Sequence, residues 1–159
     1  MVQEVQYKVI KNIGSVEIRQ YPEVVLATVS GYGDNEAFGL LFRYISGRNK
    51  TSGEVEMTAP VISTENCMAF ILPPELTLET APEPTNPQVR LRKMEPRRMA
   101  VLRFRGRTGQ NAVQKRTTEL LDILENNNIK TVNKPLLMRY NPPFIPGIFR
   151  RNEVGAEIE

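Results

Sequence analysis

Apolar and polar residues alternate along most of this chain, and two stretches break the alternation with a helical period. Val25, Ala27 and Val29 fall on one side of the segment 24–30, as Ala100, Leu102 and Phe104 do in 97–105. A period of two is the mark of a half-buried β-strand. Both segments belong to a longer internal match. Residues 16–33 (VEIRQYPEVVLATVSGYG) align without a gap on 89–106 (VRLRKMEPRRMAVLRFRG), which pairs Val16 with Val89, Ile18 with Leu91, Arg19 with Arg92 and Gly33 with Gly106. Each copy reads as a strand, a proline break at Pro22 or Pro96, and a second strand.

Each copy then enters a helix. The first is predicted over 34–46, with Asp34 placed to cap the orphan N–H groups, Glu36 in the first turn and Gly47 past the end. Its apolar residues cover an arc of about 200°, but a core face needs only Ala37, Leu41, Tyr44 and Ile45. Phe38 and Phe42 are left at the edge. The second helix is predicted over 110–126, with Val113, Leu120, Leu121 and Leu124 on one face. Two strands follow each helix, at 55–62 and 68–72, then at 135–140 and 153–158, and 7–10 pairs with 17–21 through a turn at 12–14. The Pro-rich stretch 73–87 connects the halves, about 1–73 and 88–159, and is too polar and rigid for a core element. The pattern predicts a single α+β domain over 1–159. Duplicated ββα-ββ units related by a pseudo-twofold would curve into an open, distorted antiparallel β-barrel flanked by two helices.

Composition narrows the chemistry. The chain has 159 residues, 40% hydrophobic and 25% charged, which suits a globular domain with a real core. No apolar run approaches a membrane span and the N-terminus lacks an apolar signal core, so no membrane association and a cytoplasmic location are expected. A single cysteine, Cys67, excludes an internal disulfide. Histidine is absent, which removes the usual general base, the commonest zinc ligand and the standard axial ligand of haem iron. Most enzyme classes lose ground on that count. Eight basic residues between Arg90 and Arg107 face one acid, Glu95. No set of aromatic residues alternates with them, so the stretch reads as a solvated strand face and no nucleic acid is expected.

Surplus apolar surface marks the candidate site. The loop 142–149 (PPFIPGIF) carries Phe144, Ile145, Ile148 and Phe149 among three prolines, as a lid over a ligand or as a plug in the barrel mouth. With Phe38 and Phe42 it would wall a pocket for an apolar molecule, and Arg43, the only basic residue of the first helix, would meet a carboxylate on it. Glu153 either neutralises a cationic ligand or pairs with Arg150, Arg151 or the Arg19/Arg92 pair. Met57 and Cys67 read as packing residues rather than iron ligands. Three function classes stay open: a binding module, a small-molecule hydrolase or isomerase using Glu153 and Tyr140 as acid and base, and a protein-interaction scaffold.

Five stretches carry a resemblance, in order along the chain. They are Val16-Glu17-Ile18-Arg19-Gln20-Tyr21-Pro22, Tyr44-Ile45-Ser46-Gly47-Arg48-Asn49, Met57-Thr58-Ala59-Pro60-Val61, Phe70-Ile71-Leu72-Pro73, and Tyr140-Asn141-Pro142-Pro143 with Arg150-Arg151-Asn152-Glu153-Val154. Together they resemble the SOUL/haem-binding-protein family over almost the whole chain. The resemblance implies a distorted β-barrel with two helices, similar to gyrase-inhibitor-like effector-binding domains. It also implies non-enzymatic, non-covalent binding of haem or porphyrin, as carrier, buffer or sensor, in a cleft between the first helix and the 142–149 loop. Some members are thought to ligate the iron with a histidine, and this chain has none. In others, basic residues meet the propionates. Arg43 matches one of these, and the loop lysine falls on Ile145.

Overall fold

The computed structural model describes residues 3–141 and 150–159. Their elements follow in the order β1 (Gln3–Glu4), β2 (Lys8–Ile13), β3 (Val16–Tyr21), β4 (Val24–Ser30), α1 (Asp34–Ile45), β5 (Thr58–Ser63), β6 (Cys67–Ile71), β7 (Arg90–Met94), β8 (Arg97–Arg105), α2 (Gln110–Asn126), β9 (Leu136–Arg139) and β10 (Arg151–Glu157). The class is α+β, as the pattern predicts. The strands do not close into a barrel, because β2 and β7 each pair on one side only.

The chain forms two compact units, one of residues up to Val5 with Glu23–Glu95, the other of Gln6–Pro22 with Pro96–Glu159. The first has the strand order β5-β6-β4-β7, with β1 added in parallel to β5. The second has β9-β10-β8-β3, with β2 beyond β3. Position by position the orders are equivalent except at the last strand. There the repeats exchange partners: β3 lies against β8, and β7 against β4. The Pro22 and Pro96 breaks account for this. A two-residue hairpin needs positive φ in its turn, and proline is locked near −65°. The chain therefore carries each second strand into the other unit.

Within each unit one sheet face is covered by the helix. Ala37, Leu41, Tyr44 and Ile45 of α1 are buried, as expected, among Val25, Ala27, Val29, Met68 and Phe70. Leu120 and Leu124 of α2 pack among Val16, Ile18, Ala100, Leu102 and Val154. Asp34 does not cap α1. Gly33 holds the extended N-cap position and no side chain caps it, while Asp34 and Glu36 lie in the first turn, where negative charge suits the helix dipole. Gly47 takes φ +110°, the left-handed turn expected past the helix end.

The connector is more than a spacer. Ala81 is buried in the α1 core, and the Tyr44 hydroxyl donates to the Pro82 carbonyl at 2.6 Å. Both edge strands carry guards against further pairing. Arg90, Arg92 and Lys93 of β7 are exposed, and a register shift interrupts β2 between Val9 and Lys11. No helix among the described residues is long and apolar enough to cross a membrane.

Candidate functional site

The outer surface of α1 is the first candidate. Phe38 is half-buried, with its ring edge-on to Phe70 of the core at 5.2 Å and 63°. Phe42, one turn later, stacks on Phe38 at 6.0 Å and 15° and remains 48% exposed. A core-anchored ring thus supports a second ring in solvent, and the pair forms an aromatic shelf. Arg43 projects about 100° further round the helix. Its Nη1 runs back over Gly39, 3.6 Å from where a Cβ would stand. On the far flank Arg43 borders a cavity of about 120 Å³ together with Arg48 and residues 84–86. The structure therefore places Phe38 and Phe42 together, and sets Arg43 between that shelf and a second concavity. Phe144, Ile145 and Ile148 lie outside the described residues, as does the whole 142–149 loop.

Glu153 belongs to a different group, on the face of the second unit's sheet turned away from α2. Alternation on β10 sends Val154 into the helix-side core and Glu153 to the opposite face. There Arg19 donates to both carboxylate oxygens, Nη1 to Oε1 at 2.8 Å and Nη2 to Oε2 at 2.7 Å, and the Arg103 Nε donates to Oε2 at 3.2 Å. Arg19 and Glu153 are 1% and 0% exposed. Arg19 also donates from Nε to Glu17 and from Nη1 to the Tyr21 hydroxyl, and it lies 4.0 Å over the Tyr7 ring. Its guanidinium is held as a bound cation would be, by two carboxylates, a phenol and an aromatic face. Of the partners weighed for Glu153, Arg19 is one the structure brings to it. Tyr7, Tyr21 and Glu17 were missed, although positions 17, 19 and 21 share one strand face and could have been read as a set.

These contacts fix protonation. Burial would raise the Glu153 carboxyl, but the Arg19 hydrogen bonds and the Arg19 and Arg103 charges outweigh it and hold it below the usual carboxylate value. Burial would lower Arg19, and the bond and charge of Glu153 with those of Tyr21 reverse that and hold it firmly protonated. Burial pushes the Tyr140 phenol upward, with the Tyr21 and Glu153 charges acting in the same direction. The Tyr140 hydroxyl is buried close to Glu153 but meets hydrogen-bond geometry with none of the described residues. An opening of about 240 Å³ adjoins Arg19 and Arg103, lined also by Asn12, Ser15, Glu17 and Val101.

No group of three His, Cys, Asp or Glu side chains among the described residues could hold a metal ion. Met57 packs against the α1 core and Cys67 is half-exposed on β6, in keeping with packing roles. The α1 shelf offers two phenyl rings and the Arg43 guanidinium beside them. These suit an apolar macrocycle and its carboxylates and supply no ligand to iron.

Among solved structures, the chain is similar to a hydrolase from Listeria innocua, at 12% identity over 94% of each chain with a TM-score of 0.61. It is similar to the EcmrR C-terminal domain, at 10% identity over 96% of this chain and 98% of that one with a TM-score of 0.65. In the EcmrR–DNA complex it matches 57% of the longer chain, with 91% of its own length aligned, 9% identity and a TM-score of 0.68. At these identities the likeness is one of fold. No curated protein matches the sequence. The family model for SOUL heme-binding protein matches residues 2–157, nearly the whole chain. The chain therefore belongs to the SOUL heme-binding protein family.

Proposed function

We propose that this chain is a cytoplasmic, non-enzymatic binder of a flat apolar molecule of the tetrapyrrole kind, which it takes up on the Phe38–Phe42 shelf of α1. The observation that carries this reading is Phe42, a stacked ring left 48% exposed beside a cation. Exposed aromatic pairs bind flat π-systems through offset stacking as well as through buried area. Arg43 is the nearest partner for a ligand carboxylate, and Phe144, Ile145 and Ile148 would close over the macrocycle. Family membership supports ligand binding in general.

An acid–base reaction through Glu153 and Tyr140 has poor chemistry. A carboxylate held below its usual range is a weak base, and a phenol pushed upward neither gives nor takes a proton readily near neutrality. A cationic ligand at Glu153 would first have to displace Arg19.

The test is titration with haemin and with metal-free porphyrin, followed by the Soret band and tyrosine fluorescence. The two should bind about equally, since the shelf offers the iron no ligand. Phe42→Ala should weaken both about tenfold, or ~1.4 kcal/mol, and leave the thermal midpoint unchanged. Phe144→Ala should weaken binding more than Arg43→Ala, because an exposed ion pair contributes only about 0.2–1 kcal/mol. Haem binding far tighter than porphyrin binding would bring iron ligation back. Unchanged affinity in Phe42→Ala would move the ligand off α1.

A further inference from the structure

The cavity on the other flank of α1 shares only Arg43 with that reading. It is walled by Arg43 and Arg48 on one side and by Thr85 and Asn86 on the other, with Leu40 and Val89 as its apolar lining. Its walls are tied together. Backbone bonds run from Arg48 N to the Arg43 carbonyl at 3.0 Å and from Lys50 N to the Glu83 carbonyl at 2.9 Å. The Thr85 hydroxyl donates to the Arg48 carbonyl at 3.2 Å, and Asn49 bridges to Pro84. Asn49 is itself buried and fixes the turn, with its amide donating to the carbonyls of Tyr44 and Gly53. The concavity is thus preorganised by the connector rather than by a ligand.

Its charge is uncompensated. Neither the Arg43 nor the Arg48 guanidinium has an ion-pair or hydrogen-bond partner among the described residues. The one acid nearby on the connector, Glu83, is paired with Lys50 at 2.8 Å. Two guanidinium groups that share a concavity without a counter-ion repel each other, and an oxyanion between them removes the repulsion and accepts forked hydrogen bonds. Size limits the occupant. At about 120 Å³ the cavity is well below the ~300–1,000 Å³ of sites for drug-sized ligands. It has room for one tetrahedral group and none for a macrocycle.

We propose that Arg43 and Arg48 form a second binding site, for a phosphate group, either free or at the end of a small phosphate monoester. The site shares Arg43 with the tetrapyrrole reading but stands or falls separately from it, because Arg48 has no part in the Phe38–Phe42 shelf. The test follows the arginine Nε–H signals and the thermal midpoint while inorganic phosphate or glycerol 3-phosphate is added, with chloride at matched ionic strength as control. Phosphate should shift the Arg43 and Arg48 signals with saturation and raise the midpoint above the chloride control. Arg48→Gln should weaken this at least tenfold and leave metal-free porphyrin affinity unchanged. Equal binding of the two phosphates identifies the phosphate group itself as what is recognised. Tighter binding of the ester adds use of the Leu40–Val89 wall, and either result supports the site. Unsaturable shifts, or the same affinity in Arg48→Gln as in the wild type, would overturn it.

Discussion

Arg19→Ala is expected to destabilise the protein by about 3–5 kcal/mol, the usual range when one partner of a buried ion pair is removed. The loss would come mainly from Glu153, which is 0% exposed and would lose both Arg19 bonds while keeping the 3.2 Å contact with Arg103. Removing both charges should be far milder. Arg19→Met with Glu153→Leu is expected to recover most of the loss, since an apolar pair of similar volume replaces a buried ionic one at little cost. Urea unfolding of the single and double variants measures both. A single-variant loss below about 1 kcal/mol would mean that solvent reaches Glu153. The pair also sets a pH dependence. Glu153 is depressed in the folded protein, so its contribution is complete above the ordinary carboxylate value of 4.5 and fades as pH falls below it, through the lower native value. Arg19 is raised, so its contribution is present at all lower pH and is lost only in strong alkali. Wild-type stability should therefore fall on acidification below about 4.5, and the double variant should show a smaller fall.

Phe70→Ala is the second large effect, expected at about 3–5 kcal/mol. Phe70 is 1% exposed at the centre of the α1 core, and it is the ring on which Phe38 rests edge-on. Its removal leaves a cavity and also withdraws the support of the aromatic shelf. The urea midpoint should drop while the slope of the transition stays the same. Porphyrin affinity measured well below that midpoint should fall as well. Phe42→Ala is the contrast, with affinity lost and stability kept. If Phe70→Ala lowered stability and left porphyrin binding intact, the shelf would not depend on its anchor.

The elements were largely legible in the sequence. Periodicity placed α2 at 110–126, where it is found, and picked out the four buried residues of α1. Those features are local, since a period of 2 or 3.6 follows from which side of one element is dry. Pairing is not local. Nothing in VEIRQYP says that β3 lies beside β8 rather than β4, because the alternation is the same for either neighbour. The helix starts at Asp34 as predicted, but the Asp34 cap failed because the N-cap position falls on the extended Gly33, which has no side chain to bond back. At the site, Phe38 and Phe42 stood out because they exceed the apolar arc that α1 needs. Arg19 is among the partners weighed for Glu153, whereas the contact of Tyr7 with Arg19 depends on the details of the β2–β3 hairpin, which alternation alone does not fix. The Arg43–Arg48 cavity escaped notice because its other wall comes from a connector read as a mere spacer.

The exchange of β3 and β7 between the repeats bears on how the chain is made. When the first half has left the ribosome, β3 has β2 as its only neighbour, and the partner of its other edge, β8, is still unsynthesised. The pairing of Val16 with Leu102 and the bond from Arg19 to Glu153 span most of the chain, so loop-closure entropy must be met before either contact stabilises anything. Neither repeat holds a complete sheet of its own. The nascent first half thus carries an open strand edge and an unpaired Arg19 until the last strand arrives, and in a crowded cell a second nascent copy could supply the missing strand in trans.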